Sequence, residues 1–99
     1  MKANEFVKKF GWGWAKDVVN NQPKTDAQIF NPYNQKYSSS YNIKKGVSVA
    51  WLKRIVESHE LVSDYYGLTR AKEHAESNYT APELKAALNQ AIFDVESCQ

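Results

Sequence analysis

FGWGWAKD at positions 10–17 returns in outline as YGLTRAKE at 66–73: an aromatic residue, glycine, an apolar residue, a small or hydroxyl residue, one more, then Ala-Lys-acid. Helical spacing runs up to both glycines. Glycine enters left-handed backbone without a Cβ penalty, so each is expected to close the helix before it. Trp12 or Leu68 then folds back on the last turn near Val7 or Val62, and Gly13 or Thr69 opens the next helix. The chain reads as helix-corner-helix units, with Gly11, Gly67 and Thr69 as corner residues. A dinucleotide-binding loop is a poor rival reading, because no strand precedes Gly11 and the third glycine of that fingerprint is missing.

Outward from the corners, Phe6, Val7, Phe10, Trp14 and Val18 predict helix over residues 4–20 with a fault at the glycines, stopped by Asn20-Asn21-Gln22-Pro23. Ser48 caps a second long helix with Val49, Leu52, Ile55, Val56, His59, Val62 and Tyr66 on one face, ended by Gly67. Thr80-Ala81-Pro82-Glu83 reads as a capping box with proline in the first turn, which makes Thr80 a further corner residue. The helix it opens carries Leu84, Ala87, Leu88, Ala91, Ile92 and Val95 in a stripe suited to the 48–66 helix or to a second copy in a homodimer. Residues 21–46 are polar. There Asn31-Pro32-Tyr33-Asn34 predicts a turn, and residues 28–30 and 36–44 pair as a hairpin with Tyr37, Ser39, Tyr41 and Ile43 on one face. The alternative is a tyrosine-rich loop. The expectation is one α+β domain over residues 1–99, mostly helical.

No apolar run approaches the roughly 18 residues of a membrane span, and no leader precedes Asn4, so a soluble cytoplasmic protein is expected. The single cysteine, Cys98, excludes a disulfide framework and a thiolate metal cage, and neither cofactor nor metal is expected. Charge is unevenly placed. From Met1 to Val56 ten basic residues face three acidic ones, a net +7; from Glu57 onward three face eight, a net −5. Such a split steers nucleic acid or an acidic protein to the first half, unless the halves neutralise each other in the fold or in a head-to-tail dimer.

Trp51 stands at the edge of its helix's apolar face beside Lys53 and Arg54, the pattern of an interface anchor, against the plainer role of a core-edge residue. Lys8, Lys9, Trp12, Tyr37 and Tyr41 complete the candidate partner-binding set. Trp12 and Trp14 also suit the plainer roles of closing the corner and filling the core. A small helical DNA-binding regulator is the second reading, since LVSDYYGLTRAKEHAES (61–77) places Ser63, Gly67 and Leu68 as a helix-turn-helix would. Against it, Glu73 falls where an apolar side chain belongs, as Asp17 does in the first corner, and Glu73 and Glu76 repel phosphate. No catalytic residue is expected. His59 and His74 have no ligand or nucleophile partner at useful spacing, and Glu57 and Glu60 suit a solvated helix face.

LKRIVESHELVSDYYGLTRAK (52–72) and the opening MKANEFVKKFGW (1–12), together about a third of the chain, resemble short accessory proteins of temperate lambdoid phages of enteric bacteria. The resemblance implies action in the cytoplasm of the infected bacterium by stoichiometric, non-catalytic binding to a host protein. The target would be a host nuclease, defence system, replication factor or regulator, inhibited or modulated; no site residue carries over. A small, aromatic-rich, bipolar domain without an active site works by occupying a surface. If residues 57–99 are the working face they imitate nucleic acid; if the basic half is, it contacts nucleic acid or an acidic partner.

Overall fold

The spacing of Phe6, Val7, Ala15 and Val18 is realised as two short helices, α1 (Ala3–Phe10) and α2 (Trp12–Asn20), in a computed structural model that describes residues 1–23, 27–39 and 45–99. Strands β1 (Ile29–Asn31), β2 (Lys36–Ser38) and β3 (Val47–Ser48) follow, then helices α3 (Val49–Asp64), α4 (Leu68–Glu76) and α5 (Pro82–Glu96). Among the described residues the fold is therefore α+β and mostly helical. The chain divides into two compact units, Met1–Val56 and Glu57–Gln99. That division falls inside α3, between its basic pair Lys53 and Arg54 and its acidic run Glu57, Glu60 and Asp64, where the charge of the sequence changes sign.

In the first unit the strands form an antiparallel sheet ordered β2-β1-β3, with Phe30 opposite both Tyr37 and Val47. The expected hairpin is present as β1 and β2. Its continuation through Tyr41 and Ile43 lies outside the described residues. The third strand was not foreseen, because two residues carry no readable alternation. Phe6 is fully buried and gathers the rings: Phe10 at 4.9 Å, Trp14 at 5.5 Å and Phe30 at 6.3 Å between centroids. Tilted and edge-on pairs of this kind add about 0.5–1.5 kcal/mol each beyond their burial. Ser48 caps α3 as its position suggests, its Oγ accepting from the Trp51 N–H at 3.3 Å.

In the second unit α4 and α5 pack together, with Ala71 and Ala75 buried on one and Leu88, Ala91, Ile92 and Val95 on the other. The alanines leave room for a close approach. The chief neighbour of the α5 stripe is thus α4, and Leu84 and Ala87 at its start stay exposed. Ser58 on α3 donates to the buried Asp94 carboxylate on α5 at 2.7 Å, and Gln90 donates to the other carboxylate oxygen at 3.1 Å.

Both corners are present, with a different division of labour from the expected one. Gly11 (φ 90°, ψ 164°) donates to Val7 O at 2.8 Å and accepts from Ala15 N–H at 3.2 Å, so it closes α1 and opens α2. Gly67 (φ 112°, ψ −179°) opens α4 through its carbonyl to Ala71 N–H at 3.0 Å. The second helices begin at Trp12 and Leu68, one residue before Gly13 and Thr69. α3 is closed by Tyr66 at φ 64°, with Tyr66 N–H to Ser63 O at 2.9 Å and Gly67 N–H to Val62 O at 3.1 Å, a paired termination around a left-handed residue. That turn aims Tyr66 outward, so it is 93% exposed and not on the apolar face.

Thr80 also takes another role. α5 begins at Pro82 with Ala81 at its cap, which leaves Thr80 one residue too early for a capping box. Its hydroxyl instead donates to His74 O at 2.7 Å, covering a carbonyl at the end of α4.

Candidate functional site

Trp51 lies three residues before Arg54 on α3, the spacing that makes two side chains neighbours on a helix surface. The indole is 57% exposed and the guanidinium carbon stands 4.9 Å from its ring centroid, within cation–π range. Lys53 is exposed alongside in sequence. Burying an indole of this size against a partner removes a large apolar area from water, and the stacked Arg54 adds charge in a restricted geometry. Three sequence candidates therefore share one helical segment of the basic unit.

A second group forms at the tip of the β1–β2 hairpin. Tyr33 is 54% exposed, and its hydroxyl accepts from Lys9 Nζ at 3.0 Å. Lys45 Nζ lies 5.4 Å from the ring centroid, and Phe10 packs against the ring at 6.1 Å and 77°. The hydrogen bond to Tyr33, followed by attraction to the negative charge of that side chain when ionised, holds the Lys9 ammonium above its ordinary pKa of 10.5. The tip backbone is braced. Asn31 Oδ1 accepts from Tyr33 N–H at 2.9 Å, Asn34 Oδ1 accepts from Lys36 N–H at 3.0 Å, and Gln35 N–H reaches Asn31 O at 2.8 Å with Gln35 at φ 57°. Neither Tyr33 nor Lys45 stood among the sequence candidates. The available signal was an aromatic residue inside an Asn-Pro-Tyr-Asn turn, where either asparagine can bond the backbone two residues on.

The remaining candidates are scattered. Lys8 is exposed on α1 and Trp12 is half-buried at the corner. Tyr37 is half-buried and donates to Val18 O, which makes it a structural link, and burial pushes its phenol above the ordinary 10.0. Tyr41 lies outside the described residues. Trp14 packs edge-on against Phe10 at 4.7 Å and Phe30 at 6.2 Å.

The chain matches no protein-family model, no curated protein and no solved structure. Among the described residues no group of His, Cys, Asp and Glu is arranged to hold a metal ion, and no helix is long and apolar enough to cross a membrane. Ser58 and Asp94 sit below the surface, so that carboxylate orients a hydroxyl inside the core. His74 is exposed and packs on Tyr65 with centroids 4.8 Å apart.

Proposed function

We propose that this protein acts by stoichiometric binding to a host bacterial protein, as an inhibitor or modulator in the cytoplasm of a phage-infected cell, with the α3 segment around Trp51 as its contact. The observation that carries the reading is the exposed Trp51 with Arg54 stacked on it, in a unit of net +7. Interfaces draw most of their affinity from a few such aromatic and arginine anchors, and excess charge of one sign speeds encounter with a partner of the other. The similarity of residues 1–12 and 52–72 to lambdoid phage accessory proteins supplies the setting. A host nuclease, defence system, replication factor or regulator is the class of target this implies.

A groove-reading DNA regulator is less well supported. Glu73 and Glu76 are exposed on α4, the helix that would enter the groove, and both repel phosphate.

The test is a tagged pull-down from nuclease-treated enteric bacterial lysate, run side by side with wild type and Trp51→Ala. One host protein should be enriched by wild type and lost from the variant, while circular dichroism shows both folded. No enriched protein, or enrichment that Trp51→Ala leaves intact, overturns the reading.

A further inference from the structure

The tip of the β1–β2 hairpin has the makings of a second binding site. An exposed tyrosine at a turn is unremarkable alone, but here two ammonium groups from distant parts of the chain converge on one ring. Lys9 comes from the last turn of α1 and bonds the hydroxyl at 3.0 Å, and Lys45 comes from the segment before β3 and lies 5.4 Å from the centroid. The 5.7 Å from Lys9 Nζ to the centroid, with its bond to the hydroxyl, places that charge beyond the rim of the ring. Like charges drawn to one small region repel, and an anion between them relieves the repulsion. The site is also fixed in advance. Two asparagine side chains and the Gln35 to Asn31 bond hold the backbone on both sides of Tyr33, and Phe10 supports the ring. Little ordering remains to be done on binding.

We propose that Tyr33 is a stacking platform for an unpaired base of single-stranded nucleic acid, with Lys9 and Lys45 contacting the flanking phosphates. A flat aromatic face accepts any base once the Lys45 side chain swings off it, and that ammonium and the Lys9 ammonium at the rim then meet the backbone on which the base is strung. A duplex does not fit this chemistry, because its bases are already stacked and show only their edges in the grooves. The site shares no residue with the α3 contact, and its proposal does not rest on the host-protein reading.

Fluorescence anisotropy with a short labelled oligothymidylate, a duplex of equal length and polyglutamate tests it. The expected result is binding of the single strand in preference to both other probes. Tyr33→Ala weakens it by about tenfold, and Tyr33→Phe, which keeps the ring, stays close to wild type. Lys9→Gln and Lys45→Gln each reduce the slope of log affinity against log salt by about 0.7. Tyr79→Ala, which removes a fully exposed ring from the other unit, leaves the affinity unchanged, while the pull-down reads the α3 contact by itself. The proposal is overturned if the oligonucleotide does not bind at low salt, if duplex or polyglutamate binds as tightly, or if affinity survives Tyr33→Ala. Should Tyr33→Ala not fold, the two lysine variants and Tyr33→Phe decide it through salt slope and retained affinity.

Discussion

Gly11 and Gly67 hold the same backbone conformation, 90°/164° and 112°/−179°, one in the basic unit and one in the acidic unit. This region is almost closed to residues with a Cβ, and occupying it costs an L-residue about 1–3 kcal/mol. Space is no obstacle, since a Cβ at either position meets nothing within 4 Å. Gly11→Ala and Gly67→Ala should therefore each lose about 1–3 kcal/mol through strain alone, by closely similar amounts, in urea denaturation. Two losses below about 0.5 kcal/mol would show that the corners relax easily.

Tyr66 presents the opposite opportunity. It holds φ 64° while its ring is 93% exposed, so it bears the steric penalty of left-handed backbone and gains little from packing. Tyr66→Gly should stabilise the protein by about 0.5–1 kcal/mol, because glycine takes the left-handed residue that ends a helix without a Cβ penalty. A lower urea midpoint in the variant would contradict the left-handed cap.

Ser58 and Asp94 form a buried pair whose members should be strongly coupled. Ser58→Ala removes a donor from a buried carboxylate and should cost about 1–3 kcal/mol. Asp94→Asn should also destabilise wild type, yet restore part of the loss in the Ser58→Ala background, because a neutral amide is cheaper to bury than a carboxylate. A double-mutant cycle should give a coupling of about 0.5–3 kcal/mol; simple additivity would mean the two groups act independently.

Burial raises the Tyr37 phenol above its unfolded value of 10.0. Below pH 10 both states keep the proton and the stabilisation is complete. As pH rises from 10 through the folded value, only the unfolded chain has lost its proton, so stability falls. Lys9, raised above 10.5 by its bond to Tyr33, acts in the same sense at higher pH and persists in a Tyr37 variant. Tyr37→Phe should cost about 1 kcal/mol at neutral pH, for the bond to Val18, and show a shallower decline above pH 10. Parallel declines in denaturation midpoint would rule out a phenol held protonated by the fold.

The helices and both corners were legible because they repeat a local pattern: apolar residues at helical spacing, interrupted by a glycine that no other residue replaces cheaply. Finer assignments failed where two residues compete for one job. Tyr66 and Gly67 both suit the end of α3, and only the backbone shows that tyrosine takes the left-handed turn while glycine opens the next helix. Thr80 satisfied the letter of a capping box, but Pro82 as the first helical residue put the cap at Ala81. Trp51 and Arg54 could be paired from their spacing. Lys9, Tyr33 and Lys45 could not, because they meet only when α1, the hairpin and the segment before β3 are brought together.

The order of charges along α3 runs against the rule for stable helices. Aligned peptide groups leave a partial positive charge at a helix's beginning and a partial negative one at its end, and side chains usually oppose both. Here Lys53 and Arg54 come first and Glu57, Glu60 and Asp64 come last, so side chains and backbone add. Reversing that order would relieve an unfavourable contact of about 0.3–1 kcal/mol at Asp64 alone. What the present order provides is a start of α3 at which side chains and backbone are both positive, and an end at which both are negative, so neither field cancels the other. An approaching anion is drawn to the start of that helix and repelled from its end, so polarity selects where it first makes contact.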